Sequence, residues 1–167
     1  MASSTVENYI KQVYALQFEQ GEGGIVGMGD LAASLGVTPG TATSMVKSLA
    51  NSNHVEYIPR VGVRLLEPGE KLALLVLRRH RLVELFLVKI LGMEWHEIHE
   101  EAETLEHAIS DRLLERIDNL LGNPKVDPHG DSIPSASGKI AKRELIPLNQ
   151  CDRGQSVIIS RIEDQEE

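Results

Sequence analysis

A disulfide framework is closed to this chain, because its 167 residues hold one cysteine, Cys151. A reducing compartment is therefore the expected home. Aromatic residues make up only 4% of the chain, so a core must be built from Leu, Ile, Val and Ala, which favours helices packing on helices over a large β-sandwich. No apolar run reaches the roughly 18 residues of a membrane span. The opening Met-Ala-Ser-Ser-Thr is no signal peptide, so a cytoplasmic protein without a membrane partner is expected. Basic charge is also short. Lys and Arg number 17 against 25 Asp and Glu, and the formal charge of −8 excludes non-specific affinity for nucleic acid along the whole surface, since phosphate contacts need local positive potential. Neither a Glu-x-x-His pair of the ferritin-like type nor His-Glu-x-x-His occurs. No nucleophile-and-base constellation or phosphate-cradling glycine loop appears either, which leaves a metal-dependent hydrolase as a remote alternative.

What charge there is lies unevenly. From Ile25 to Leu66 the basic Lys47, Arg60 and Arg64 outnumber Asp30 and Glu56, whereas acids gather from Glu94 to Glu106 and from Glu163 to Glu167. The first region also carries helix punctuation. Ser4-Thr-Val-Glu7 has the form of a capping box before Val6, Tyr9, Ile10, Val13 and Leu16, a helix ended by the glycines at 21, 23 and 24. A short helix over about Gly29 to Leu35 stops at Gly36, and Thr38-Pro39 opens another running to about Asn51. Two helices joined this tightly predict a helix-turn-helix, whose second member enters the DNA major groove. Its candidate contacts are Thr38, Pro39, Thr41, Thr43, Ser44 and Lys47, small or polar groups able to reach phosphates and base edges. Val55-Glu-Tyr-Ile and Val63-Arg-Leu-Leu follow as β-like runs about a basic tip, predicting a wing whose Arg60 and Arg64 meet backbone phosphates.

A second region runs from His80 to His107. His80 and Glu84 are four apart; His99, Glu103 and His107 continue in steps of four, with Glu106 three after Glu103. At ~100° per residue, positions 99, 103, 106 and 107 fall inside an arc of roughly 100° on one helix. Trp95, Ile98, Ala102, Leu105, Ile109 and Leu113 form an apolar stripe beside it, so a single helix from Glu94 to about Leu121, with Trp95 as a core anchor, is expected. Imidazole nitrogen with carboxylate oxygen suits Mn²⁺, Fe²⁺ or Zn²⁺. His54 and His96 have no partner at useful spacing and are read as surface residues.

Pro68-Gly69 opens a long helix to about Leu91 that is apolar on nearly every side from Leu82 onward. Such a face needs covering, and a second copy of the chain fits, as it also fits a palindromic operator. The Pro, Gly, Ser and Asp-rich stretch from Asn123 to Gly138 reads as a linker, and Val157 to Ile162 as one strand of a tail. The expected fold is mainly α. A winged helix-turn-helix occupies 1–67, a helical metal-binding and dimerisation domain 68–122, and a linker and truncated tail 123–167.

These residues resemble the diphtheria-toxin-repressor family of metal-dependent transcriptional repressors, which includes iron-dependent and manganese-responsive regulators. The likeness runs through Tyr9-Ile-x-x-Val-Tyr14, Asp30-Leu-Ala, Leu35-Gly-Val-Thr-Pro, Arg79-His-Arg-Leu-Val-Glu84 and His99-Glu-Glu-Ala-Glu-x-x-Glu-His107. It implies an SH3-like third domain, of which the tail resembles the start. It also implies a homodimer that binds double-stranded operator DNA when Mn²⁺ or Fe²⁺ is bound, with other divalent transition metals able to substitute in vitro, and that controls metal-uptake genes. The primary site implied is Glu103, Glu106 and His107 with Asn8; the ancillary site is His80, Glu84 and His99; His129 and Asp127 are added by likeness to some manganese-responsive members.

The chain departs from that pattern in informative ways. Asn8 supplies a neutral amide where the family has Met or Asp, Lys11 stands where manganese regulators have a Glu, and Glu103 replaces the Cys of the iron type. An oxygen-rich site favours a hard cation. The alternative from another class is a winged-helix regulator without metal control, acting through partner proteins.

Overall fold

The computed structural model describes residues 3–21 and 24–162; Gly23 and the acidic end at 163–167 lie outside the described residues. The chain divides into two compact units. One holds the chain to Leu77 with Ala136–Lys139, the other Arg78–Ser135 and the segment from Ile140 onward.

In the first unit α1 (Ser4–Gln20) is capped by Ser3, whose side chain accepts from the Val6 amide; the cap falls one residue before the box read from sequence. Gly21 ends it at φ 90°, a backbone conformation that glycine adopts without strain. Then come α2 (Met28–Ser34) and α3 (Pro39–Asn51). Thr38 caps α3 with Pro39 at its first turn, as its sequence demands: the proline has no amide to leave unsatisfied. The strands β1 (Val55–Ile58) and β2 (Gly62–Leu65) pair antiparallel, with Glu56 opposite Arg64. Val26 adds a bridge to Val63, exchanging both backbone hydrogen bonds at 2.9 Å. A Cβ on Gly62 would collide with the Val26 carbonyl, so only glycine lets these backbones approach. Ile10, Val13, Leu31, Val46, Leu49 and Val63 fill the core beneath. Gln17 donates to the Gly24 carbonyl and accepts from the Leu65 amide, tying α1 to the wing at 2.9 and 2.7 Å.

The helix α4 (Glu67–Phe86) ends in a π-helical turn, Leu87–Leu91, followed by α5 (Trp95–Leu105) and α6 (Asp111–Leu120). The single helix expected from Glu94 to Leu121 is therefore two. Ser110 caps the second by accepting from the Leu113 amide, and a carboxylate at Asp111 suits the first turn. The break rotates the buried stripe. Leu114 and Ile117 point inward, whereas Leu105 and Leu113 are exposed. Trp95 is 48% exposed and is no core anchor: at the first position of α5 it rests edge-on against His129 and not among the apolar side chains.

Residues 124–134 are no slack tether either. Ile133 is buried with Leu82, Leu85 and Leu114, and Val126 bridges Ser132. Arg78 donates to the Pro134 carbonyl and pairs with Asp118; Arg81 donates to the Ser132 carbonyl. The strand expected at Val157 to Ile162 is absent. The Ile162 amide donates to the His129 carbonyl, Ile158 is 90% exposed, and no strand among the described residues pairs with this segment. No helix among the described residues is long and apolar enough to cross a membrane.

Candidate metal centre and nucleic-acid interface

In the second unit, His80 is the hub. One turn of α4 places it beside Glu84, and its Nε2 lies 2.9 Å from Glu84 Oε1. Its Nδ1 lies 2.8 Å from Glu106 Oε2 and 3.5 Å from Glu103 Oε1. Neutral imidazole has one N–H, so satisfying carboxylates on both nitrogens requires imidazolium. Glu106 is fully buried at the end of α5, and His107 Nε2 stands 3.3 Å from its Oε1. His99 stacks edge-on with His80 at 5.1 Å, its Nδ1 3.5 Å from Glu84 Oε1. Burial opposes ionisation of Glu84, but hydrogen bonds from His80 and His99 and the charges of His80 and His129 outweigh it, and the carboxyl is lowered to about 2.

The segment 124–134 brings a second group against α4. Asp127 Oδ1 accepts from the His129 and Asp131 amides, both at 2.9 Å, and Oδ2 lies 3.3 Å from Arg81 Nε. His129 Nδ1 is 4.0 Å from Glu84 Oε2. Burial raises the Asp127 carboxyl; the Asp131 amide and Arg81 pull it back down, and the charges of Asp131 and Glu84 push it up again. A carboxylate so placed gains from a nearby cation.

Among the described residues two groups each bring their ligand atoms within 4.8 Å of one another: His80, His99 and Glu103, and Glu84, Asp127 and His129. This grouping differs from the one the sequence gives. Glu84 bridges the two, its Oε1 facing His80 and His99 and its Oε2 facing His129, and Glu103 joins His80 and His99. His107 follows the end of α5, so it is not on the helical arc with His99 and Glu103. Asn8 sits half-buried on α1 in the first unit. The donors are nitrogen and oxygen only, deprotonated or able to become so, and they fit a borderline-to-hard divalent ion such as Mn²⁺ or Fe²⁺. Spacing could not have shown that Glu84 faces the linker, since the partners are more than 40 positions away.

In the first unit Thr41, Ser44 and Lys47 are exposed along α3. Thr38 is engaged as the cap and touches Thr41 Oγ1 at 2.9 Å, while Thr43 donates to the Pro39 carbonyl at 2.7 Å. Both hydroxyls serve their own helix first. Ser48, exposed four residues after Ser44, shares the face and was not among the sequence candidates.

At the wing tip Arg60 has φ 67°, with the Val61 amide bonded to the Ile58 carbonyl. A side chain in this conformation costs roughly 1–2 kcal/mol, a strain that suits a guanidinium retained for a contact outside the fold. Replacing Arg60 by Gly is expected to leave the melting temperature unchanged or higher while weakening DNA binding. Calorimetry and fluorescence anisotropy on the same sample check both halves.

A winged helix-turn-helix unit and a helical unit with buried imidazole–carboxylate clusters define a DNA-binding regulator with the equipment of a metal sensor. The family description "iron dependent repressor, N-terminal DNA binding domain" matches residues 1–63, and "iron dependent repressor, metal binding and dimerisation domain" matches 66–135. The chain belongs to the iron-dependent repressor family, whose members are transcriptional repressors and not enzymes. It is 35% identical over 115 residues to an uncharacterised HTH-type transcriptional regulator of Methanocaldococcus jannaschii, covering 69% of this chain and 90% of that one. It is 31% identical over 131 residues to the iron-dependent repressor IdeR of Mycobacterium tuberculosis, covering 78% of this chain but only 55% of IdeR. A solved manganese-dependent transcriptional repressor in complex with manganese superposes with a TM-score of 0.83 at 39% identity, covering 96% of this chain and 73% of that one.

Proposed function

We propose that this chain is a cytoplasmic, homodimeric, metal-activated repressor that senses Mn²⁺ or Fe²⁺, binds a palindromic operator and controls metal-uptake genes. The observation that carries this reading is the placement of His80 between Glu84 and Glu106, with Glu103 and His99 alongside. On this reading the primary ligand set is Glu103, Glu106 and His107 with Asn8, and the ancillary one is His80, Glu84 and His99, extended by Asp127 and His129. The part given to Asn8 and to His107 rests on the family likeness. Exposed apolar side chains at Ile90, Leu91, Leu105, Leu113 and Leu120 supply a surface for the second copy.

A divalent cation bound there would supply the positive charge that the His80 proton otherwise provides. His80, Glu84 and Glu106 would hold the ion, with His80 neutral so that a ring nitrogen is open to coordinate. DNA binding rises only insofar as the DNA-competent state holds the metal more tightly than the other state does. Fluorescence anisotropy of operator DNA, selected from random duplexes, should rise with Mn²⁺ or anaerobic Fe²⁺ and fall with chelator. Equal binding in both conditions would sink the reading, and so would a Glu103→Ala, His107→Ala variant that keeps its metal response.

The linker group has its own reporter. Trp95 is the sole tryptophan, and its ring centroid lies 5.0 Å from that of His129. Paramagnetic Mn²⁺ at Glu84, Asp127 and His129 is expected to quench its fluorescence, and His129→Ala to abolish the response. A wild-type emission indifferent to saturating Mn²⁺ would rule out occupancy of that group.

A further inference from the structure

Positive charge at the reading surface is scarce. Between Ile25 and Leu66 the cationic side chains are Lys47 on α3 and Arg60 and Arg64 on the wing. One of these three is already occupied. Glu56 and Arg64 stand directly opposite in the antiparallel register, and Arg64 Nε lies 2.5 Å from Glu56 Oε2, with the two side chains 45% and 42% exposed. An ion pair this wet contributes little to stability, so the fold gains almost nothing from it. A phosphate approaching the wing meets a guanidinium whose Nε already holds a carboxylate.

We propose that Glu56 is an affinity-setting residue: by holding Arg64 it withholds one backbone-phosphate contact per protomer and lowers the protein's sequence-independent affinity for DNA. The proposal rests on the DNA-binding reading and adds a reason for the pair. A repressor under metal control works as a switch only if its metal-free form binds DNA weakly. Non-specific binding is almost wholly electrostatic, so a carboxylate on the wing lowers that baseline in both states without touching base recognition on α3.

The test uses the full chain, with Mn²⁺ and with chelator, and a 30-base-pair duplex of mixed sequence as probe, its affinity read by anisotropy across a salt series. Glu56→Gln keeps the size and hydrogen-bonding capacity of the side chain while removing its charge. It should bind about three- to tenfold tighter at 0.1 M salt, with the log–log salt slope steeper by about 0.9 per protomer, the signature of one added phosphate contact. The gain should be the same with metal and with chelator, and absent when Arg64 is also replaced by Ala. Unchanged or weaker binding by Glu56→Gln would overturn the proposal, because Glu56 would then be orienting Arg64 toward DNA or be irrelevant to it. An equal gain in the Arg64→Ala background would overturn it as well, assigning the effect to general repulsion. A wild-type chain that binds no duplex at low salt, with or without Mn²⁺, overturns the DNA-binding reading itself and this proposal with it.

Discussion

His80→Ala is expected to abolish metal-dependent DNA binding and to destabilise the metal-free protein at the same time. The first effect follows from its central place among Glu84, Glu103 and Glu106. The second follows from what the substitution leaves behind. Glu84 and Glu106 are buried carboxylates that lose the imidazolium between them, and stripping one partner from a buried ion pair costs about 3–5 kcal/mol. The two effects can be separated. Adding Glu84→Gln and Glu106→Gln to His80→Ala removes the stranded charges and should restore much of the stability, while metal response stays lost.

The acid limb of stability should move too. With its carboxyl lowered from 4.5 to about 2, Glu84 contributes stability that is complete above pH 4.5 and lost as pH falls toward 2. Without His80 the largest attractive contact is gone, burial prevails, and the loss should begin at higher pH. Thermal melts of the metal-free protein between pH 2 and 7 check this, and an unshifted acid limb in His80→Ala would show that His80 does not hold the Glu84 carboxylate.

Arg81→Ala should release the 124–134 segment. Arg81 pairs with Asp127, donates to the Ser132 carbonyl and lies 3.6 Å from Asp131, all with little exposure. Truncation leaves Asp127 buried among Glu84 and Asp131 without its cation, a loss of about 3–5 kcal/mol. The consequence reaches the metal site. His129 and Asp127 are held against Glu84 by this anchor, so the Trp95 response to Mn²⁺ should vanish even though every ligand of that group remains in the chain. Hydrogen exchange should show the amides of His129, Asp131 and Ile133 losing protection before those of α4. A variant with normal protection and a normal fluorescence response would mean that the segment docks through Ile133 and Arg78 alone.

Local chemistry made much of the fold legible. Thr38-Pro39 can scarcely be anything but a helix start, and Arg60-Val-Gly62 between two β-like runs marks the wing. The break between α5 and α6 was hidden because Ile98, Ala102, Leu105, Ile109 and Leu113 keep helical period straight through it; Ser110-Asp111 was the cap signal within that run. The docked 124–134 segment was hidden for another reason. Its Pro, Gly and Asp content says only that it is irregular, and its anchors, Arg78 and Arg81, lie about 50 residues earlier. The site was legible as a list of ligand types but not as groups. Helical spacing tells which side chains share a face; it cannot tell that Glu84 reaches His129 with one oxygen while His80 ties the other to Glu106.

The central claim is that metal and DNA bind one state of this protein in preference to another, which makes them thermodynamically reciprocal. The most direct measurement is a pair of titrations on one sample: operator affinity at zero and saturating Mn²⁺, and Mn²⁺ affinity with and without operator. The account predicts that both ratios exceed unity and agree. Tight Mn²⁺ binding that is blind to the presence of operator would contradict it.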